Sequence, residues 1–369
     1  MTLRVGVLSF AHTHAIGYLS ALAAMPDVEV RGTDPGGVST GTTLGELRGA
    51  DLTGALGVDH ADTVDDLLAW GPDAVVVTSE NVRHREFVER AAAAGAHVLC
   101  EKPLATSWED GLAIRDAVQR AGVTLMMAYP VRFASAFDRL RATHASGALG
   151  TVFSVRGANN GMLPLTRDWF TDPALSGGGA IVDHVVHVAD LVDGLTGARP
   201  VSVTAVANRV LHAERARAET AGLVTVTYDT GMVVAIDCSW SRPDTAPAWG
   251  GLTLDVAGTG GTVSVDFFGA AARGLDAVGG RPIELRYGAD HDVPMLRTFL
   301  DAVRDGVQPK PDVQVGLRTL SIVLAAQESV RTGGAGTGKF TRSLVGRAAE
   351  VVAVEPDPAM RERLTAVLP

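Results

Sequence analysis

Cysteine is almost missing from this chain: Cys100 and Cys238 are the only two in 369 residues. Neither has the closely spaced partner that a disulfide framework or a structural zinc site requires, so both read as buried thiols. Basic residues are also scarce, 32 Lys and Arg against 42 Asp and Glu, for a formal net charge of −10. That balance argues against nucleic acid or an anionic membrane as partner, because both attract a basic face. Long apolar runs are missing too. None approaches the ~18 residues that a membrane-spanning helix needs, and the opening run Leu3-Arg4-Val5-Gly6-Val7-Leu8 carries no cleavage pattern. The expected compartment is the cytoplasm and the expected partner a small molecule. Apolar residues are plentiful at 46%, enough for a large core, and at roughly 150 residues per domain the length suggests two domains.

From Leu3 to Ala128, short β-rich runs alternate with helical patterns: Arg4 to Leu8, Val28 to Gly32, Ala74 to Thr78, His97 to Cys100 and Thr124 to Ala128. Wholly apolar strands such as Ala74-Val75-Val76-Val77 suit a parallel sheet covered on both faces, and right-handed crossovers make it doubly wound. Residues 1–128 are thus expected to form a doubly wound α/β domain, with its site at the carboxyl ends of the strands. The Gly- and Thr-rich stretch from Pro35 to Asp62 favours a loop or a frayed helix. From Thr151 the pattern shifts to successive β-branched runs separated by turns such as Asp229-Thr230-Gly231. Residues 129–332 therefore predict an α+β domain with a large, open, mainly antiparallel sheet, a helix over 180–195 and two closing helices over 293–304 and 313–331. The open face is expected to pack on a second copy, giving a homo-oligomer.

The first strand runs into Ser9-Phe10-Ala11-His12-Thr13-His14, where a dinucleotide-binding turn would present G-x-G-x-x-G. Ser9, Ala11 and His14 stand at the three glycine places, leaving an ordinary βα turn as one reading. A rival reading makes His12-x-His14 a metal pair of a hydrolase or lyase, with His184 and His187 as further ligands. Asp34, after the second strand, can accept from both hydroxyls of an adenosine ribose, which favours NAD over NADP. As a turn acid it could equally be solvated.

Thr78-Ser79 and Glu101-Lys102-Pro103 each end a strand, at the sheet edge where ligands bind in such folds. A lysine held between a buried strand and a proline has few rotamers, so its ammonium can be aimed at a substrate oxygen. Downstream, Gly177-Gly178-Gly179 precedes a helix in which Asp183, His187 and Asp190 share neighbouring faces. His187 is placed to take a hydroxyl proton, Asp183 to orient it, and Lys102 to stabilise the developing oxygen. A local surface Asp/His pair is the plainer alternative, weakened by Val182, Val185, Val186 and Val188, which make the helix apolar on several sides.

With Thr78 through His84, Glu101-Lys102-Pro103, Ala128-Tyr129-x-x-Arg132-Phe133 and the glycine run with Asp183 and His187 in order, the chain resembles the Gfo/Idh/MocA oxidoreductases over about residues 3–332. The resemblance implies a Rossmann domain, an αβ domain with an open sheet, NAD(P), and a sugar or cyclitol substrate. It also implies that Lys102, Asp183 and His187 form the catalytic set and that Glu101 lies on the nicotinamide ribose. On this reading Ser9, Phe10, Ala11, His12, Asp34, Thr78, Ser79, Glu101 and Lys102 bind the cofactor. His12, Tyr129, Arg132, Asn160, Trp169 and His184 line the polyol pocket, and no metal is implied. A catalytically silent nucleotide-binding protein on the same fold is a further alternative.

After Thr332 the sequence Gly334-Ala335-Gly336-Thr337-Gly338-Lys339-Phe340, followed by Glu355, is similar to the start of a class I methyltransferase. No strand is expected before that loop, and Phe340 stands where a Walker A motif needs a hydroxyl. Residues 333–369 are thus expected to be an appended fragment without catalysis of its own.

Overall fold

The computed structural model describes residues 2–164, 167–276, 279, 281–286, 288 and 290–333. The tail expected to resemble a methyltransferase, with Gly334 to Gly338 and Glu355, lies outside the described residues. In chain order the first elements are β1 (Leu3–Leu8), α1 (His14–Ala23), β2 (Val28–Thr33), α2 (Gly49–Leu56), β3 (Asp59–His60) and α3 (Val64–Ala69). They are followed by β4 (Ala74–Val77), α4 (His84–Ala93), β5 (His97–Cys100), α5 (Trp108–Ala121) and β6 (Leu125–Met127). Next come α6 (Ser135–Ala145), β7 (Val152–Met162), α7 (Pro173–Ser176), α8 (Ala180–Thr196), β8 (Pro200–Asn208), β9 (Ala221–Tyr228) and β10 (Val233–Arg242). The last are β11 (Gly250–Gly258), β12 (Gly261–Asp266), β13 (Ala271–Asp276), β14 (Arg281–Arg286), α9 (Asp292–Asp305) and α10 (Val313–Thr332).

Two compact units share these elements. The first comprises Met1–Phe133, Pro164–Gly177 and Asp290–Leu317, and the second Ala134–Leu163, Gly178–Ala289 and the helix from Arg318. In the first unit a six-stranded sheet runs β3-β2-β1-β4-β5-β6 with every pairing parallel. This is the doubly wound order, with its switch point between β1 and β4. Val5, Val7, Val76 and Leu99 of the sheet are buried with Tyr18, Leu19 and Leu22 of α1 and Met295, Leu296 and Phe299 of α9. The glycine-rich stretch after β2 holds a real helix, α2, capped at its far end by left-handed Gly57. Thr53 and Leu52 are buried there, so packing overrides weak propensity.

In the second unit the six-stranded sheet runs β12-β11-β7-β10-β9-β8. It is mixed: β7 and β10 pair in parallel at its centre and the other pairs are antiparallel. One face carries buried Val155, Val224, Val226, Val234 and Ile236, and α8 contacts β7, β9 and β10. The other face exposes Phe153, Val206, Leu223 and Val233. Strand β13, unanticipated in the sequence, pairs with β14 as a separate two-stranded ribbon. No helix among the described residues is long and apolar enough to cross a membrane.

Candidate active site

In the first unit the residues singled out in the sequence gather at the carboxyl edge of the sheet. Ser9, which replaces the first glycine of the dinucleotide turn, has φ +67°, the left-handed backbone that glycine normally supplies there. The turn thus keeps its shape without its glycines, and Ser9 N–H donates to Thr33 O at 2.8 Å. Its amides are nevertheless engaged inside the protein. Phe10 N–H donates to Asp34 Oδ1 at 2.8 Å, Ala11 N–H to Ser9 Oγ at 3.3 Å and His14 N–H to His12 Nδ1 at 3.1 Å. His12 N–H donates to Thr78 O at 2.9 Å. Thr78 Oγ1 closes the knot by donating to Ser9 O, and buried Ser79 donates to Glu80 O.

Asp34 stands at the end of β2 as expected, but its carboxylate is fully occupied. Besides Phe10 it accepts from Gly49 N at 3.0 Å and, in a bidentate pair, from Arg48 Nε at 2.6 Å and Nη2 at 2.8 Å. With Ser9 Oγ at 3.5 Å from Oδ1 as a fifth donor, the lone-pair positions of the carboxylate are filled, so the expected open ribose acceptor is an acid held by Arg48, which no local motif had marked.

Glu101 is equally well held. Its Oε1 accepts from Tyr18 OH at 2.7 Å and faces His14 Nδ1 at 2.8 Å, its Oε2 accepts from Lys102 N at 3.1 Å, and His12 Nε2 lies 4.0 Å away. Burial alone would push this carboxyl up; the surrounding His12, His14 and Lys102 outweigh it and hold the group well below the usual carboxylate range. Tyr18 was missed in the sequence, although it stands one helical turn after His14 and so on the same face of α1. Lys102 is buried, 4% exposed. The backbone after it is fixed by His84 of α4, whose Nδ1 faces Pro103 O at 2.7 Å and must therefore carry a proton.

Tyr129 and Arg132, both buried, follow β6 at the same edge. Trp169 Nε1–H donates to Ala11 O at 2.9 Å, and Trp169 and Phe170 stack at 3.9 Å and bury Ala11. The expected pocket residue Trp169 thus packs on the turn itself.

The second unit positions the other predicted residues. The first turn of α8 is shaped by Glu219, whose Oε1 accepts from Gly179 N at 2.9 Å and Ile181 N at 3.2 Å. A Cβ at Gly179 would collide with the Glu219 carbonyl, which explains the last glycine of the run. On α8, Asp183 Oδ2 accepts from Trp240 Nε1 at 3.0 Å and lies 3.0 Å from His184 Nε2. His184 Nδ1 faces Asn159 O at 2.6 Å, so that nitrogen bears a proton and Nε2 is left toward Asp183. His187, on the next turn, is half-buried. Asn160 Oδ1 accepts from Ser239 Oγ at 3.0 Å. Trp240 and Glu219 come from distant strands and loops, and no local pattern pointed to them.

Residues 45–129 match a family profile described as an oxidoreductase family with an NAD-binding Rossmann fold, and 137–264 match the GFO/IDH/MocA C-terminal domain. A D-xylose 1-dehydrogenase (NADP(+)) of Haloferax volcanii is 31% identical over 297 residues, 79% of this chain and 88% of the relative. The chain belongs to the GFO/IDH/MocA oxidoreductase family. A 1,5-anhydro-D-fructose reductase of Ensifer adhaerens is 34% identical over 182 residues, 48% of this chain. That match spans about half of the reductase, 54% of its length. Among solved structures, GenD2 from gentamicin A biosynthesis in complex with NAD has a TM-score of 0.78 at 27% identity, covering 90% of this chain and 95% of GenD2. Levoglucosan dehydrogenase in complex with NADH and levoglucosan shares the fold, with a TM-score of 0.75 at 20% identity over 90% of this chain and 98% of that one.

Proposed function

We propose that the chain is a nicotinamide-dependent oxidoreductase that transfers hydride between the cofactor and a secondary alcohol or ketone of a sugar, cyclitol or related polyol. The observation that carries this reading is Lys102: a buried lysine at the carboxyl end of β5, its backbone fixed by Glu101 and His84. The turn fits a dinucleotide in backbone shape, since Ser9 holds the left-handed conformation, and bound nicotinamide would supply C4 as hydride acceptor. Lys102 holds the substrate oxygen as it becomes a carbonyl, from a backbone already fixed by Glu101 and His84. His187 takes the hydroxyl proton, and Asp183, steadied by Trp240 and His184, orients the reacting group. Ser9, Phe10, Ala11, His12, Asp34, Thr78, Ser79 and Glu101 are assigned to the cofactor. Tyr129, Arg132, Asn160, Trp169 and His184 are assigned to the substrate.

NAD is the proposed cofactor, since an acid follows β2 where ribose hydroxyls are read, here paired with Arg48. The metal reading has a geometric obstacle. His12, His14 and Glu101 do cluster, but His12 Nδ1 accepts the His14 N–H. The neutral imidazole then carries its proton on Nε2 and has no lone pair left for a cation. We place the protein in the cytoplasm and propose a homo-oligomer formed through the sheet face bearing Phe153, Leu223 and Val233, to be checked by sedimentation. The functional test is to denature the purified protein, identify any released dinucleotide, and screen polyols for reduction of NAD⁺. Released NAD(H) with polyol-dependent reduction supports the reading; stoichiometric zinc without nicotinamide, or no turnover on any polyol, contradicts it.

A further inference from the structure

In a glycine-built dinucleotide turn, backbone N–H groups at the start of the helix face the pyrophosphate. Here those of Phe10, Ala11, His12 and His14 are all engaged within the protein, by Asp34, Ser9, Thr78 and His12. The backbone has the shape of the cradle while its donors are turned to other partners. At the third glycine position, opening α1, stands His14, with 36% of its side chain exposed. It is the more accessible of the turn's two histidines, since His12 is only 3% exposed.

We propose that the His14 imidazolium supplies the pyrophosphate contact that backbone amides make in a glycine turn, so that dinucleotide affinity in this chain weakens as pH rises. The inference rests on the reading that the chain binds a nicotinamide dinucleotide.

The surroundings of His14 favour its charged form. From the end of β5 the Glu101 carboxylate lies 2.8 Å from Nδ1, and from α1 the Tyr18 hydroxyl lies 3.5 Å away. From α9 Asp292, with Asp290 just before it, adds negative charge; Lys102 opposes, and the His12 ring sits 4.1 Å off. Burial pulls the imidazole down, but Glu101 and Asp292 outweigh it and hold its pKa above the usual 6.5. When His14 loses its proton, the cluster keeps the negative charges of Glu101 and Asp292 with one cation fewer. A pyrophosphate brought beside it then meets net repulsion instead of a charge-assisted hydrogen bond. The sign follows: binding is strongest with His14 protonated and declines as pH rises through its elevated pKa.

The test is calorimetric binding of NAD⁺ and of ADP-ribose to the full chain between about pH 6 and 9. ADP-ribose keeps a pyrophosphate that does not titrate in this window and lacks nicotinamide. Both affinities should fall on the order of tenfold across the window, the worth of one charge-assisted hydrogen bond, whereas adenosine, which has no phosphate, should bind independently of pH. His14→Gln should bind NAD⁺ on the order of tenfold more weakly at the acid end and lose most of the pH dependence. A pH-independent NAD⁺ affinity in the unaltered protein overturns the proposal, as does an unchanged slope in His14→Gln. The ADP-ribose and adenosine comparison needs no variant and stands if His14→Gln fails to fold. Absence of any dinucleotide binding at every pH would instead overturn the functional reading, and this inference with it.

Discussion

Arg48 grips Asp34 through two parallel hydrogen bonds, Nε at 2.6 Å and Nη2 at 2.8 Å, at the sheet edge where β2 ends. The Asp34 side chain is fully buried and that of Arg48 only 14% exposed, so the pair is a buried ion pair on the proposed adenosine side. Removing the arginine leaves Asp34 with the amides of Phe10 and Gly49 and the Ser9 hydroxyl at 3.5 Å. Arg48→Ala should cost about 3 kcal/mol in denaturant unfolding, the lower end for a broken buried pair. In the folded variant the uncovered carboxylate should weaken NADPH binding more than NADH binding; an equal loss for both would remove Asp34 and Arg48 from cofactor discrimination.

Ser9 adopts a glycine conformation at φ +67°, which costs a residue with a Cβ roughly 1–2 kcal/mol. Ser9→Ala keeps that strain and loses the hydroxyl that accepts from Ala11. Ser9→Gly loses the hydroxyl but relieves the strain, against a larger unfolded-state entropy. Thermal unfolding should therefore rank Ser9→Gly above Ser9→Ala by about 1 kcal/mol. The reverse order would mean that the left-handed turn is not kept.

Much of this organisation is legible in the sequence because it is local. Apolar runs bounded by turns mark the five principal strands of the parallel sheet, and the 180–195 helix pattern agrees with Ala180–Thr196 to one residue at its far end. What escapes is non-local. The parallel pairing of β7 with β10 joins segments about 80 residues apart and leaves no trace in either. Helix α2 is hidden by Gly49, Gly54 and Gly57, which lower propensity without preventing burial. The expectation for Asp34 failed to include Arg48 because an ion pair across fourteen residues of loop has no periodicity. Tyr18 could have been found from its spacing to His14; Glu219 and Trp240 reach α8 only through the tertiary fold.

Asp292 opens α9, and burial pushes its carboxyl from 3.8 up to about 6, with Asp290 and Glu101 adding to the rise and His14 opposing it. The folded chain therefore holds this proton more tightly than the unfolded one. The stability it contributes is complete below about pH 4, is lost as pH rises to about 6, and is constant above. Allowing for partial exposure, the effect is on the order of 1–2 kcal/mol. Asp292→Asn should flatten that part of the stability profile and exceed the parent in stability above about pH 6 by a similar amount. An unchanged profile would show that Asp292 does not titrate as a buried acid.

Trp240 donates to Asp183 Oδ2 from a fully buried position. Trp240→Phe should cost about 1–3 kcal/mol, because the buried carboxylate loses a donor. If Asp183 must be oriented for catalysis, turnover should fall while NAD⁺ affinity stays unchanged. Retained turnover in a destabilised variant would confine Trp240 to packing.

The most direct test of the central claim is polyol-dependent NAD⁺ reduction by the unaltered protein and by Lys102→Ala, with dinucleotide affinity measured on both. If Lys102 holds the reacting oxygen, the variant should lose about a hundredfold or more of its turnover while binding NADH nearly as well as the parent. Undiminished turnover in Lys102→Ala would contradict the account.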